Sequence, residues 1–244
     1  MEDKLSIKSN AVELLEKQLH NRAKKKQYGV IVMSSATEPY LQFEVQTKLT
    51  RSLLEVILKY RFPVHIITRS DLVERDFDLL KQIDTVAIHP DEVRQQVSRG
   101  VFVTFSFSTL DDKTAKIFEP GATPPTLRLQ THKNTLQAGL HSGISLMPLI
   151  PHISDTTENL HEMFSTFKNI GSSYVFPASI TLFGEERADS KTLMLRAIRD
   201  YYPELLEKYD RFFRNSTQLP KFYRDAFNKK MLELLREYNL SNRI

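Results

Sequence analysis

The 244-residue sequence contains no cysteine, no tryptophan and only seven glycines. Without cysteine the chain forms no disulfide, thiolate nucleophile or thiolate metal site, which agrees with a reducing compartment. No glycine-rich phosphate loop follows the first strand-like run, which disfavours a dinucleotide-binding fold. No apolar run reaches the ~18–20 residues of a membrane span, and the polar N-terminus is unlike a secretory signal. We therefore expect a cytoplasmic protein with no membrane segment.

The net charge and the spacing of the histidines give weaker evidence about the function than the missing residue types do. The net charge of +4 allows an anionic partner without requiring one. His132 with His141, and His152 with His161, do not follow the i, i+4 spacing of helical metal ligands. The G-x-S-x-G motif of many hydrolases is also absent. These features argue against a structural zinc site and a serine hydrolase.

Short continuous apolar runs alternate with helical patterns along the chain. Such runs are typical of strands that are buried on both faces of a parallel sheet. Parallel strands joined by helical crossovers form either an open doubly wound sheet or a (β/α) barrel. The predicted strands are Ile31–Ser34, Val64–Thr68, Val101–Phe107, Gly143–Met147 and Tyr174–Ala178.

Polar residues cluster at the carboxyl ends of three of these predicted strands. They are Ser34-Ser35, Thr68-Arg69-Ser70 and Ser106-Phe107-Ser108. Active sites of barrels gather at the carboxyl ends of the strands. Each hydroxyl could instead cap the helix that follows it. Three strands that end alike favour a shared site.

Several helix starts can be read from the sequence. Asp111-Asp112 is predicted to begin a short helix capped by Thr109 or Asp111, and Asp155 or Ser154 to cap a later helix. Pro124-Pro125 is predicted to begin another. The polar segment His89–Gly100 is predicted to be a loop insertion.

Glu119 and Arg128 flank the start of the helix at Pro124-Pro125. Glu119 precedes a proline and is therefore expected to be extended. Because arginine suits a carboxylate fork, the two residues could pair structurally or grip a zwitterion. The residues alone do not decide between these alternatives.

The C-terminal residues from 185 onward mix aromatic residues with both charges at helical spacing. Basic residues interleaved with Tyr and Phe can form a nucleic-acid platform. More often such a pattern is an amphipathic helix with solvated charges. The predicted helices are Lys191–Tyr202, Pro203–Phe213 and Lys221–Tyr238.

Four segments in order resemble the radical S-adenosylmethionine proteins related to spore photoproduct lyase, often labelled DNA repair photolyases. TLDDKTAKIFEPGATPPTLRL is similar to the family's T-x-D-x-x-x-x-x-x-E-P-x-A-x-x-P-x-x-R-L, and SSATEPYLQFE to its S-x-T-D-P-Y-Q-P-x-E. Leu49–Leu80 resembles L-T-R-x-x-L-E…P-V…T-K-S…R-D-x-D-L-L, and LMPLIPHISDTTENL resembles P-I-I-P-G-I-N-D. The resemblance runs from about Leu5 to Gly184, and the last fifty residues match only loosely.

The resemblance implies a fold and a ligand. It implies a partial (β/α)6 TIM-like barrel of the radical-SAM type in residues 1–184, with a C-terminal helical extension, residues 185–244, packed on it. S-adenosylmethionine would bind at the strand ends. Thr37, Glu38 and Pro39 would lie near its amino group. Ser35, Arg69 and Ser106 would lie near its carboxylate or ribose, Glu119 and Arg128 would brace the floor, and Pro148 would face the adenine.

The sequence departs from this family at the metal cofactor. Family members reduce S-adenosylmethionine with a 4Fe-4S cluster, which three cysteines of a C-x-x-x-C-x-x-C loop hold. This chain has no cysteine, and Met1 falls about where the family sequence leaves that loop. Arg69 replaces a lysine, and Glu38 replaces an aspartate. We therefore expect a chain that binds no cluster and is inactive alone.

Three functions agree with these features. The chain could be a shortened radical-SAM lyase or DNA-repair-type enzyme. It could be a cluster-free pseudoenzyme or binding module for a nucleotide, S-adenosylmethionine or a partner protein. It could also be an unrelated (β/α) enzyme with a carboxylate–arginine site.

We expect two kinds of partner. One is a nucleic acid, and the other is a protein chain that covers the open barrel edge. Without the family's first strand, the strand at Gly29–Ser35 would have an unpaired edge, and such edges recruit partners. Leu5–Lys8, a partner chain or a second copy through self-association would cover it.

Overall fold

Five parallel strands form one open sheet in the order β1-β2-β3-β4-β5. The computed structural model describes residues 8–33, 37–92 and 97–244. The strands are β1 (Ile31–Met33), β2 (Val64–Thr68), β3 (Val101–Phe107), β4 (His141–Leu149) and β5 (Val175–Ser179). The prediction of five parallel strands is confirmed, with Ser34 lying outside the described residues. Burial explains the continuous apolar runs, because all seven residues of β3 are buried.

Helices precede the first strand, connect the strands and follow the last one. Short 3₁₀ turns at Asp71–Asp76 and Pro203–Leu205 precede α4 and α9. The α-helices are α1 (Ala11–Lys24), α2 (Glu44–Thr47), α3 (Leu49–Tyr60), α4 (Phe77–Val86), α5 (Asp112–Phe118), α6 (Pro125–Gln137), α7 (Thr157–Ile170), α8 (Ser190–Tyr201), α9 (Leu206–Phe213) and α10 (Lys221–Glu237).

One predicted helix cap is confirmed and another is wrong. The Asp111 side chain accepts a hydrogen bond from Thr114 N and caps α5. The cap of α7 is Thr156, whose hydroxyl accepts from Asn159 N. Asp155 and Ser154 were predicted there, but their side chains accept from backbone N–H groups of the preceding turn. The tight turn after β4 therefore uses the polar groups that the sequence pattern had assigned to the helix.

The chain divides into two compact units. The first contains the residues up to 106 together with 127–143, and the second contains 107–126 with 144–244. The boundary near residue 184 stays a prediction.

In the first unit β1 is an edge strand of the sheet. Val30 and Val32 are 40% and 48% exposed. Of the segment Leu5–Lys8, which was expected to cover this edge, only Lys8 lies within the described residues, and it lines a groove beside Ile31. Association at this edge stays a prediction.

In the second unit the C-terminal helices share a hydrophobic core with the ends of β4 and β5. Tyr209 OH also donates to the Pro151 carbonyl oxygen at 2.7 Å. The helices predicted in this part of the sequence are confirmed. No helix in the part of the chain that the structure describes is long and apolar enough to cross a membrane. The core residues are Ile150, Ile180, Leu182, Ile198, Tyr209, Phe212, Phe213 and Leu219.

The buried face of α6 is polar, which the apolar pattern did not indicate. Thr131 and His132 are at most 1% exposed. The Ser142 hydroxyl donates to Val103 O at 2.8 Å, so it accepts from His132 Nδ1–H at 2.9 Å. This chain of bonds fixes the Nδ1–H tautomer of the imidazole. Specific hydrogen bonds therefore replace apolar contacts between α6 and the sheet.

We expect the stability of the protein to fall as the pH is lowered from about 6.5 to 4. Burial lowers the pKa of His132 to about 4, whereas an unfolded histidine titrates near 6.5. The unfolded state therefore binds more protons in this window, and the free energy of unfolding, fully present above pH ~6.5, decreases by up to about 3 kcal/mol from this group. Burial also lowers the pKa of His65 to about 4.

Urea unfolding of His132→Asn at several pH values tests this expectation. The variant is expected to lose part of the wild-type slope below pH ~6.5. The matched control is exposed His20, replaced in the same way, which is expected to keep the wild-type slope. A His132→Asn slope equal to wild type would contradict the account.

Candidate functional site

The Glu38 carboxylate ties the loop after β1 to the carboxyl end of β2. Its Oε1 accepts from Thr68 Oγ1 at 2.5 Å and from Tyr40 N at 3.0 Å. Its Oε2 accepts from Arg69 N at 2.8 Å. The loop is therefore held by a negative charge placed at the strand ends, where ligands of such sheets bind.

This carboxylate keeps the capacity to bind a further donor. A carboxylate offers about four lone-pair positions, and donors among the described residues occupy three of them. Glu38 is half-buried, and neighbouring Thr37 is exposed. A cationic donor such as an ammonium group would form a charge-assisted hydrogen bond with it.

The loop is braced from its other end by α3. The Thr50 hydroxyl donates to the Pro39 carbonyl oxygen at 2.5 Å, and Tyr40 is 1% exposed. Glu38 is consequently held in one orientation by contacts on both sides.

Arg69 and Ser106 lie at neighbouring strand ends of the first unit. The parallel register pairs Thr68 of β2 with Phe105 of β3, and each residue of interest comes one position later. Arg69 is half-buried, and Ser106 is 6% exposed. The structure thus brings together Glu38, Arg69 and Ser106 at one edge of the sheet.

Arg128 lies beneath this edge and not in solvent. The residue is 0% exposed, and its Nη1 donates to the Ser106 carbonyl oxygen at 2.5 Å. The bond connects α6 to the end of β3 within the first unit. This geometry is that of a positioning residue, and the choice between pairing with Glu119 and gripping a ligand stays a prediction.

The remaining predicted site residues belong to the second unit or lie outside the described residues. Ser35 lies outside the described residues. Glu119 and Pro148 belong to the second unit. The Glu119 carboxylate accepts from the Ser108 hydroxyl, and a cis peptide bond precedes Pro148. Their roles at a ligand stay predictions.

Sequence reasoning missed an ion network beside the loop after β1. Asp76 is 0% exposed, and its Oδ1 accepts from Arg51 Nη1 at 3.0 Å and Arg75 Nε at 2.9 Å. Its Oδ2 accepts from Arg75 Nη2 at 2.8 Å. The same arginine donates to the backbone and side-chain oxygens of Glu44, both at 3.0 Å. The network connects α2, α3 and the 3₁₀ turn after β2.

The pKa values of Asp78 and Tyr40, in and beside this network, are shifted. Arg51 donates two hydrogen bonds to Asp78, at 2.9 and 2.7 Å, and lowers the pKa of that carboxyl to about 2. Burial, followed by the nearby Asp76 charge, raises the pKa of Tyr40 well above its usual value. The sequence feature that could have indicated this ion network is the set of charged residues inside the segments that carry the family resemblance.

The donor set for a metal is not found in the described residues. No group of three or more His, Cys, Asp or Glu side chains that could hold a metal ion occurs in residues 8–33, 37–92 and 97–244. The whole sequence has no cysteine. The residues present therefore do not fit a 4Fe-4S cluster, whose iron needs thiolate ligands.

No family model matches the chain. An uncharacterised protein of Mycobacterium tuberculosis is 24% identical over 235 residues, covering 96% of this chain and 64% of that protein. An uncharacterised protein of Acidianus two-tailed virus is 30% identical over 193 residues, covering 74% and 59%. The chain thus spans less than two thirds of the length of these relatives.

Two solved structures with known ligands are similar to this one. Spore photoproduct lyase complexed with dinucleoside spore photoproduct has a TM-score of 0.61 at 14% identity, covering 93% of this chain and 64% of that one. SuiB of Streptococcus suis bound to S-adenosylmethionine has a TM-score of 0.51 at 12% identity, covering 84% and 43%. At these identities the likeness shows the fold alone. The open five-stranded sheet with its surrounding helices agrees with the partial TIM-like barrel that the resemblance predicted.

Proposed function

We propose that this chain binds S-adenosylmethionine, or a closely related adenosyl ligand, at the carboxyl ends of β1, β2 and β3. The observation that carries the proposal is the Glu38 carboxylate. It lies half-buried at the strand ends, is held by Thr68 and Arg69, and can accept one more donor. The α-amino group of S-adenosylmethionine is a cation that supplies such a donor.

Solved structures of the same fold support this choice of ligand. SuiB has been solved bound to S-adenosylmethionine, and a spore photoproduct lyase mutant with bound AdoMet and dinucleoside spore photoproduct has a TM-score of 0.58 to this chain. We assign Thr37, Glu38 and Pro39 to the amino group. Arg69 and Ser106 are assigned to the carboxylate or ribose.

We further propose that this chain alone does not cleave the ligand reductively. The radical chemistry of a cluster-bearing enzyme starts with an electron from the iron–sulfur cluster, and the 244 residues contain no thiolate to hold one. A spore photoproduct lyase-like or DNA-repair-type reaction therefore does not proceed on this chain by itself. The proposal is a ligand-binding protein built on a lyase-like fold.

Glu38→Gln is expected to weaken S-adenosylmethionine binding by about tenfold or more, because a hydrogen bond to a charged group contributes about 1.5–3 kcal/mol. Titration calorimetry on the purified chain measures this change. The matched control is Glu55→Gln on α3, because the Glu55 side chain is 58% exposed and its Oε1 lies 3.8 Å from Arg51 Nε. The control is expected to bind like wild type.

A thermal melt of Glu38→Gln separates binding from folding. If Glu38 serves only to brace the loop, the melting temperature falls and the dissociation constant of the ligand stays at the wild-type value. That result would contradict the proposed role. An unchanged dissociation constant together with an unchanged melting temperature would contradict it as well.

A further inference from the structure

The C-terminal helices concentrate positive charge in one short stretch. Residues 211–230 contain six Lys or Arg and one Asp, a net charge of +5 in a chain whose total is +4. The remaining 224 residues therefore have a net charge of −1. A local concentration of this kind attracts polyanions.

Two clefts in this part of the second unit share one arginine. The first, of about 500 Å³, is lined by Lys191, Arg196, Arg199 and Arg214, with Asp210 and Glu185 at its wall. The second, of about 420 Å³, is lined by Arg211, Arg214, Lys221 and Arg224, and no acidic residue lines it. Because Arg214 lines both, the cations form a continuous tract, which we call the C-terminal basic tract.

The second cleft is preformed by hydrogen bonds. Arg224 Nη1 donates to Gln218 Oε1 at 2.8 Å, which fixes the guanidinium at the wall. The Ser216 hydroxyl donates to Gln218 O at 2.9 Å and accepts from Gln218 N at 3.0 Å. Leu182 N donates to Thr217 O at 2.8 Å, which attaches the loop to the chain after β5. A ligand would therefore meet a cleft that is already formed.

Two arginines of the tract are available to bind an anion. Among the described residues, no carboxylate lies within ion-pair distance of Arg211 or Arg214, and both are exposed. Lys221 does pair with Asp225, at 3.0 Å, but that pair is exposed and therefore weak. Phosphate groups would pair with these guanidinium groups without displacing a strong partner.

An exposed aromatic ring lies next to the second cleft. Phe222 is 68% exposed, although its ring centroid is 6.5 Å from that of Phe212 and 6.4 Å from that of Tyr223. Its neighbours therefore support one side of the ring and leave the rest in solvent. Aromatic rings beside cationic grooves are stacking platforms for the bases of single strands.

We propose that the C-terminal basic tract binds single-stranded nucleic acid, with phosphates on Arg211, Arg214 and Arg224 and a base on Phe222. A lone phosphate would need only one cleft, whereas a repeating polyanion can occupy both through Arg214. The exposed ring favours a strand with unpaired bases over a duplex. This inference concerns residues of the second unit alone and does not depend on the proposed adenosyl ligand.

Fluorescence anisotropy with a labelled oligonucleotide of about twenty thymidines tests the proposal. The wild-type chain is expected to bind with an affinity that falls steeply between about 50 and 200 mM salt. The double variant Arg211→Ala/Arg214→Ala is expected to bind about tenfold or more weakly, with the salt slope reduced by about 0.7 for each lost phosphate contact. Phe222→Ala is expected to weaken binding about fivefold or more.

The matched control is Lys229→Ala/Lys230→Ala on α10. It removes the same charge from the same stretch, but neither residue lines a cleft. Its affinity is expected to stay within about twofold of wild type. Circular dichroism melts show whether each variant is folded.

Four results would overturn the proposal. They are no binding at the lower salt concentration, an equal loss in the control and the Arg211/Arg214 variant, no effect of Phe222→Ala, and competition by poly-glutamate as effective as that by the oligonucleotide. Equal losses would indicate unspecific charge attraction. Competition by poly-glutamate would indicate an acidic polypeptide as the partner.

Discussion

Replacing Arg128 by alanine is expected to lower the free energy of unfolding by about 3–5 kcal/mol. The side chain is 0% exposed, and its Nη1 donates to the Ser106 carbonyl oxygen at 2.5 Å. The substitution removes this bond, leaves the carbonyl without its donor and opens a cavity as large as the arginine side chain. Each effect is destabilising on its own. Urea unfolding of wild type and variant measures the difference.

The same helix provides a control for this prediction. Lys133 lies on the exposed face of α6, so Lys133→Ala is expected to change stability by no more than about 0.5 kcal/mol. If Arg128→Ala cost less than about 1 kcal/mol, the arginine would not be the brace that its burial indicates. In that case its contact with the end of β3 would be incidental.

Asp76→Ala is expected to be about as damaging, with a loss of about 3–5 kcal/mol. The carboxylate is 0% exposed and accepts three hydrogen bonds, one from Arg51 and two from Arg75. Its removal leaves two guanidinium groups close together in a partly buried position without the charge between them. Because the network connects α2, α3 and the turn after β2, the loss is expected to reach the loop that carries Glu38.

Asp78→Ala tests whether the burial of Asp76 causes the large loss of stability expected for Asp76→Ala. Asp78 bonds to the same Arg51, at 2.9 and 2.7 Å, but its side chain is 54% exposed. An exposed ion pair contributes only about 0–1 kcal/mol, so this variant is expected to unfold nearly like wild type. Equal losses in the two variants would show that burial of Asp76 does not set the cost.

Local patterns predicted the elements of the fold but not all of its buried faces. The runs at Val64–Thr68 and Val101–Phe107 are strands with the predicted bounds, because continuous apolar sequence is needed where both faces are covered. The cap of α5 was also found, because Asp111 acts on its own helix. Such features depend on neighbours in the sequence.

Features that depend on distant residues were predicted less well. Nothing local indicates that Arg128 and His132 form the buried face of α6, because their partners Ser106 and Ser142 are on other elements. In the ion network around Asp76, the contacts of Arg51 with Asp76 and of Glu44 with Arg75 likewise join residues that are 25 and 31 positions apart. Specific pairing of buried polar groups is a tertiary property, and periodicity does not reveal it.

The residues that the resemblance assigned to the site also have partners that the local sequence does not indicate. The resemblance placed Glu38 and Arg69 near one ligand, and the structure shows that the carboxylate of one accepts from the backbone N–H of the other. The resemblance did not indicate that this carboxylate also holds the loop through Thr68 and Tyr40. A residue with both roles needs the paired binding and stability measurements described for Glu38→Gln.

The most direct test of the account is one calorimetric titration with S-adenosylmethionine, performed on the chain as purified and again after anaerobic treatment with iron and sulfide. The account predicts one binding event with the same dissociation constant in both samples, because the strand-end residues hold the ligand and the 244 residues contain no cysteine for a cluster. Binding that occurs only after the iron and sulfide treatment, or in neither sample, would contradict it.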